Sequence, residues 1–188
     1  VLEKVYPNIR SDRVRSSDDN DFAIFEIGKA HVKGHDNAEK LPGEFERLAL
    51  VFSADQKTAK RKYHGSAYYM AEQYLNVLLG DRATLVPLTN NAYPITSVYE
   101  LNRSAMVMAG KEVFGVIGEF NEATKKALKL PDYTAGFELD IELYNKFIGD
   151  RARKYSPLSV FPKTQQDITF KVKAGLPAQE LVALVWDE

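Results

Sequence analysis

Two short apolar runs, residues 104–108 and 112–118, flank the tetrapeptide Ala109-Gly110-Lys111-Glu112. A glycine-containing turn between two such runs predicts a β-hairpin, and a hairpin commits its part of the chain to antiparallel pairing. Other segments extend the sheet. Residues 22–32 form an apolar, aromatic run that reads as a well-buried strand, and residues 46–53 read as another. Residues 137–143 alternate strictly, with Phe137, Leu139, Ile141 and Leu143 on one face and Glu138, Asp140 and Glu142 on the other. That alternation predicts a half-buried strand with a wet face.

Helix signals fall between these strands. Leu2, Val5 and Ile9 recur at helical spacing, with Pro7 shortening or kinking the element. Ser66 is a suitable N-cap for a helix over 67–79, which Gly80 stops. Asn121 caps a short helix over 122–129, ended by Pro131. Residues 10–21, 34–44 and 55–65 read as connections, and 81–99, with two prolines, as short extended pieces. After a basic, polar linker at 145–154, residues 167–172 predict a strand, and Pro177 opens a helix through Trp186. The expected class is α+β, with a mostly antiparallel sheet flanked by helices.

Composition excludes several functions. There is no cysteine among 188 residues, so disulfides, thiolate zinc sites and cysteine nucleophiles are out. Twenty-five basic against 26 acidic side chains leave a net charge of −1, so no whole-chain basic field is available to hold RNA. No apolar run is long enough to cross a membrane as a helix. Position 1 is Val rather than Met, which suggests an internal piece of a longer chain.

The order of the short motifs resembles the β subunit of phenylalanyl-tRNA synthetase. They are Phe25-Glu26-Ile27-Gly28, Arg103-Ser104-Ala105, Gly115 to Gly118, Phe137-Glu138-Leu139-Asp140, and Ser156 to Ile168. The resemblance implies a class II synthetase-like, non-catalytic module over 1–150. It implies that 151–188 are a linker and the truncated start of a ferredoxin-like, anticodon-binding domain. It implies an enzyme of two α and two β subunits in the cytoplasm, a ligase that attaches phenylalanine to its tRNA. ATP and magnesium would act in the α subunit, and no cofactor or metal would bind this piece. The α subunit would be its partner, and tRNA the partner of the whole β subunit. By the same resemblance, Leu2, Val5 and Ile9 would lie at the subunit interface. Active class II domains end in a strand resembling G-F-G-L-G-x-E-R. Here Glu138 and Asp140 stand at glycine positions and Leu143 at the arginine position. Two carboxylates repel a triphosphate, and leucine cannot replace a stacking guanidinium. Gln166 stands where the family usually has arginine.

Other constellations read as ordinary surface or core. His31, His35, Asp36 and Glu39 could be drawn as a metal cluster, but Gly34 argues against the helix that their spacing needs. Lys57, Lys60, Arg61 and Lys62 could touch RNA phosphates, although such runs usually mark exposed loops. Tyr68, Tyr69 and Tyr74 fit core packing better than base stacking. Glu138, Asp140 and Glu142 would need a partly dry pocket to act as acid–base or magnesium groups. Ser104 lacks the context of a nucleophile. Two alternatives of other classes are a stand-alone mixed α/β enzyme or small-molecule binder, and an RNA-binding module working through residues 57–64.

Overall fold

The computed structural model describes residues 1–11, 19–36, 42–91, 93–148, 167, 169–173 and 175–186. It divides into two units, Val1–Ile148 and Gly149–Glu188.

The first unit is built on six strands. They are β1 (Asp21–Asp36), β2 (Pro42–Ala54), β3 (Thr84–Pro87), β4 (Tyr99–Ala109), β5 (Glu112–Phe120) and β6 (Tyr133–Asp140). Every pairing is antiparallel, in the order β1-β2-β6-β5-β4-β3. The expected hairpin is β4–β5, turning at Gly110 with φ +62°. A bulge between Val107 and Met108 leaves Phe114 unpaired in the ladder.

The helices form where capping chemistry allows. A 3-10 turn over Leu2–Lys4 runs into α1 (Val5–Ile9). Pro7 is tolerated there because amides of a first helical turn have no intrahelical acceptor. Helix α2 (Gln56–Lys62) starts at Asp55, whose carboxylate accepts from the Thr58 amide at 2.7 Å. Thus the stretch expected as a charged connection is helical, and Asp55 is the N-cap that the composition concealed. Helix α3 (Ala67–Leu79) is capped by Ser66, as expected, with its hydroxyl accepting from the Tyr68 amide. Asn121 likewise caps α4 (Glu122–Leu128).

Both sheet faces are covered, so adjacent residues on β5 enter different cores. Ile117 joins Leu50, Phe137, Leu75 and Leu79 beneath α3. Val116 joins Val5, Val51, Tyr99 and Phe120 on the opposite face. Helix α3 packs on β6, β5 and β2, inserting Ala67, Ala71, Leu75 and Leu79. Full burial of a leucine such as Leu75 contributes about 2 kcal/mol.

Two strand expectations change. The run at 22–32 is not well buried: it lies in the edge strand β1, and Phe25 and Ile27 are 69% and 60% exposed. They continue the apolar row of Leu50 and Leu48, their partners on β2, past the area that α3 covers. The alternating stretch 137–143 is a strand only to Asp140. There Asp140 accepts from the Leu143 amide at 3.0 Å and starts α5 (Ile141–Ile148).

In the second unit, α6 (Ala178–Trp186) follows a turn at Gly175, φ +95°. Residues 167 and 169–172, expected in a strand, form none. Phe170 and Val172 are each about half exposed, and a strand without a paired neighbour has no ladder to hold it. Ser156 to Gln166, with the Gln166 departure, lies outside the described residues, as does Ile168.

Candidate functional site

The end of β6 gathers the charges that the sequence singled out. Arg47, opposite Asp140 on β2, reaches it at 3.2 Å and Glu138 at 4.0 Å. Glu138 is half-buried. Burial raises its carboxyl above the ordinary value, against the opposing pull of Arg47. Asp140 serves two partners at once, the guanidinium and the first turn of α5. Glu142 does not share their face, since it lies exposed on α5. Leu143 packs against the core beneath α3. A polyanion placed along this strand would have to displace Arg47 from two carboxylates, and such a ligand is poorly matched to the strand.

The remaining candidates sort by position. Val5 is fully buried in the core of its own chain, Leu2 packs against the same cluster, and Ile9 is partly buried. The three therefore do not form an outward stripe, because α1 lies on the sheet and Val5 points into it. While Val77 of α3, 75% exposed, stands open elsewhere, Phe25 and Ile27 on β1 form a pair of open apolar side chains two residues apart on one strand. On the same sheet face, Tyr74 of α3, near Phe52 (ring centroids 6.3 Å), is itself 37% exposed.

The basic run is divided. Arg61 pairs with Asp19, and Lys62 pairs with Asp21 at 2.6 Å and Asp19 at 3.4 Å, so these two cations tie the start of β1 to α2. Lys57 and Lys60 remain on the helix surface. Tyr63 also donates to Asp21, and burial together with that carboxylate pushes its phenol up to about 12. Tyr68 is core-facing, whereas Tyr69 and Tyr74 are exposed, so the expectation of packing holds for one of the three.

His31, His35 and Asp36 lie in β1, not on the helix that the His31-to-His35 spacing would need. Glu39 lies outside the described residues. No group of three or more potential metal ligands occurs among the described residues. Ser104 is buried and donates to the Glu100 carbonyl at 2.7 Å. Its neighbour Arg103 reaches the buried Glu119 at 2.8 Å, so the Arg-Ser-Ala motif knits the β4–β5 hairpin together. Arg47 is the residue that sequence reasoning missed, for nothing in 46–53 signals what it will face.

The phenylalanyl tRNA synthetase beta chain CLM domain family matches residues 11–141. The phenylalanine–tRNA ligase beta subunit of Moorella thermoacetica is 27% identical over 166 residues, covering 87% of this chain and 20% of the relative. That of Streptococcus pneumoniae is 25% identical over 166 residues, with 86% and 20% coverage. That of Bifidobacterium longum is 32% identical over 79 residues, covering 42% and 9%. The chain thus spans about a fifth of the first two of these relatives. Among solved structures, a pyrrolysyl tRNA synthetase from Desulfitobacterium hafniense is similar with a TM-score of 0.48 and 18% identity, over 77% of this chain and 47% of that one. The family match covers well over half of the sequence, and the chain belongs to the phenylalanyl-tRNA synthetase β chain CLM domain family.

Proposed function

We propose that this chain is a non-catalytic assembly module of a phenylalanine–tRNA ligase. It docks on the α subunit, where ATP, magnesium and phenylalanine would meet, while the complete β subunit would contact tRNA in the cytoplasm. Residues 151–188 would supply a linker and the start of the ferredoxin-like, anticodon-binding domain. The observation that carries the assembly reading is the edge strand β1, which leaves Phe25 and Ile27 largely in solvent. Two large side chains of this kind on an open sheet edge favour a protein partner. The interface accordingly moves from Leu2, Val5 and Ile9 to β1.

Loss of nucleotide chemistry is supported by Arg47, held between Glu138 and Asp140 on the strand that resembles an ATP-binding one. The RNA-binding alternative loses ground, because Arg61 and Lys62 already pair with Asp19 and Asp21. No helix among the described residues is long and apolar enough to cross a membrane. Isothermal titration of the chain with magnesium–ATP, then with phenylalanine, tests the non-catalytic half. The expected result is no saturable heat for either. Stoichiometric ATP binding would mean that this domain keeps a nucleotide site.

A further inference from the structure

A groove of about 490 Å³ opens beside the 3-10 segment Pro94–Val98, where Met106 and Val116 of the sheet face opposite α3 meet Phe114, Leu143 and Lys146 around the start of β5 and α5. That volume lies within the ~300–1,000 Å³ typical of small-molecule sites. Met106 and Ile95 give it an apolar lining, backed by the almost fully buried Val116. Tyr93, 48% exposed, offers an aromatic wall at the mouth.

The charge around this groove is uneven. Arg47, Lys111 and Lys146 line it, against the single carboxylate of Glu112. Arg47 is matched by Asp140 and Glu138, neither of which lines the groove. Among the described residues, Lys146 is matched only by Glu112, at 3.3 Å, and both are well exposed. Such a surface pair rearranges at little cost. Lys111, exposed beside Gly110 at the hairpin turn, forms no ion pair among the described residues. An apolar lining therefore ends at one unmatched ammonium, with a second in the same groove.

We propose that this groove is a binding site for a small monoanion with a flat apolar body, such as an aromatic carboxylate. The ring lies on Met106 between Ile95 and Tyr93, and the carboxylate meets Lys111 and Lys146. This inference stands apart from the assembly reading, since the groove shares no residue with the exposed edge at Phe25 and Ile27.

The chain's three methionines make the test specific, because Met106 lines the groove while Met70 packs on the other sheet face beside Phe52. The 188-residue chain, carrying 13C-methyl methionine, is titrated with 2-naphthoate and separately with 2-naphthylmethylammonium. The expected result is a saturable shift of the Met106 methyl signal with naphthoate, a still Met70 signal, and at least tenfold weaker binding of the cation. Lys111→Glu should weaken naphthoate at least tenfold and Lys111→Gln less so, with the ligand-free Met106 signal in place. Equal response to both probes, Met70 and Met106 moving together, no response at all, or unchanged affinity in Lys111→Glu would overturn the proposal.

Discussion

Gly118 and Ser104 face one another across the β4–β5 hairpin so closely that a Cβ on Gly118 would lie 1.9 Å from the Ser104 hydroxyl oxygen. Ser104 cannot move aside freely, because it is buried and bonded to the Glu100 carbonyl. Gly118→Ala is therefore expected to destabilise the first unit by about 2 kcal/mol in urea denaturation. Adding Ser104→Gly to that variant should restore part of the loss, since it removes the clashing group.

Asp21 joins β1 to α2 by accepting from Lys62 and Tyr63. Burial works to raise its carboxyl, but these hydrogen bonds outweigh it and hold the group below the ordinary aspartate value. A depressed folded value stabilises the fold above the unfolded pKa, about 4, and is lost as pH falls through the folded one. Asp21→Asn should cost about 1 kcal/mol at neutral pH, allowing for partial exposure. In paired thermal melts, the gap to the unsubstituted chain should close as the solution is acidified below that value.

Arg47 compensates two half-buried carboxylates. Arg47→Met takes from Glu138 and Asp140 the guanidinium they share, and should destabilise by about 2 kcal/mol. Glu138, already raised by burial, then rises further, so its proton is taken up on folding. The sign follows: the variant should gain stability as pH falls toward the carboxylate range, and Arg47→Met combined with Glu138→Gln should be less damaged at neutral pH. Urea midpoints at pH 5 and pH 8 check both.

Much of this architecture is legible in residue patterns that act locally. The Ala-Gly-Lys-Glu turn specifies its own hairpin, and Ser66 and Asn121 cap the helices that follow them. Asp55 and Asp140 act by the same chemistry, but a lysine-rich run masked one cap and strict alternation the other. What local pattern cannot carry is which strand stands at an edge. Phe22 to Val32 reads as buried because it is apolar, yet coverage depends on where α3 lies, many residues later in the chain. For the same reason, the partners of Arg47 and the inward turn of Val5 emerge only once β2, β6 and α1 are set beside one another.

Exposed Phe25 and Ile27 carry the assembly account, and sedimentation velocity tests it most directly. The chain is mixed with the α subunit of a phenylalanine–tRNA ligase and compared with a Phe25→Asp/Ile27→Asp variant. Both side chains lie largely in solvent, so the variant should melt within a few degrees of the unsubstituted chain. The account predicts a co-sedimenting complex for the unsubstituted chain, weakened at least tenfold by the double substitution. A complex of equal affinity with both, or none with the unsubstituted chain, would contradict it.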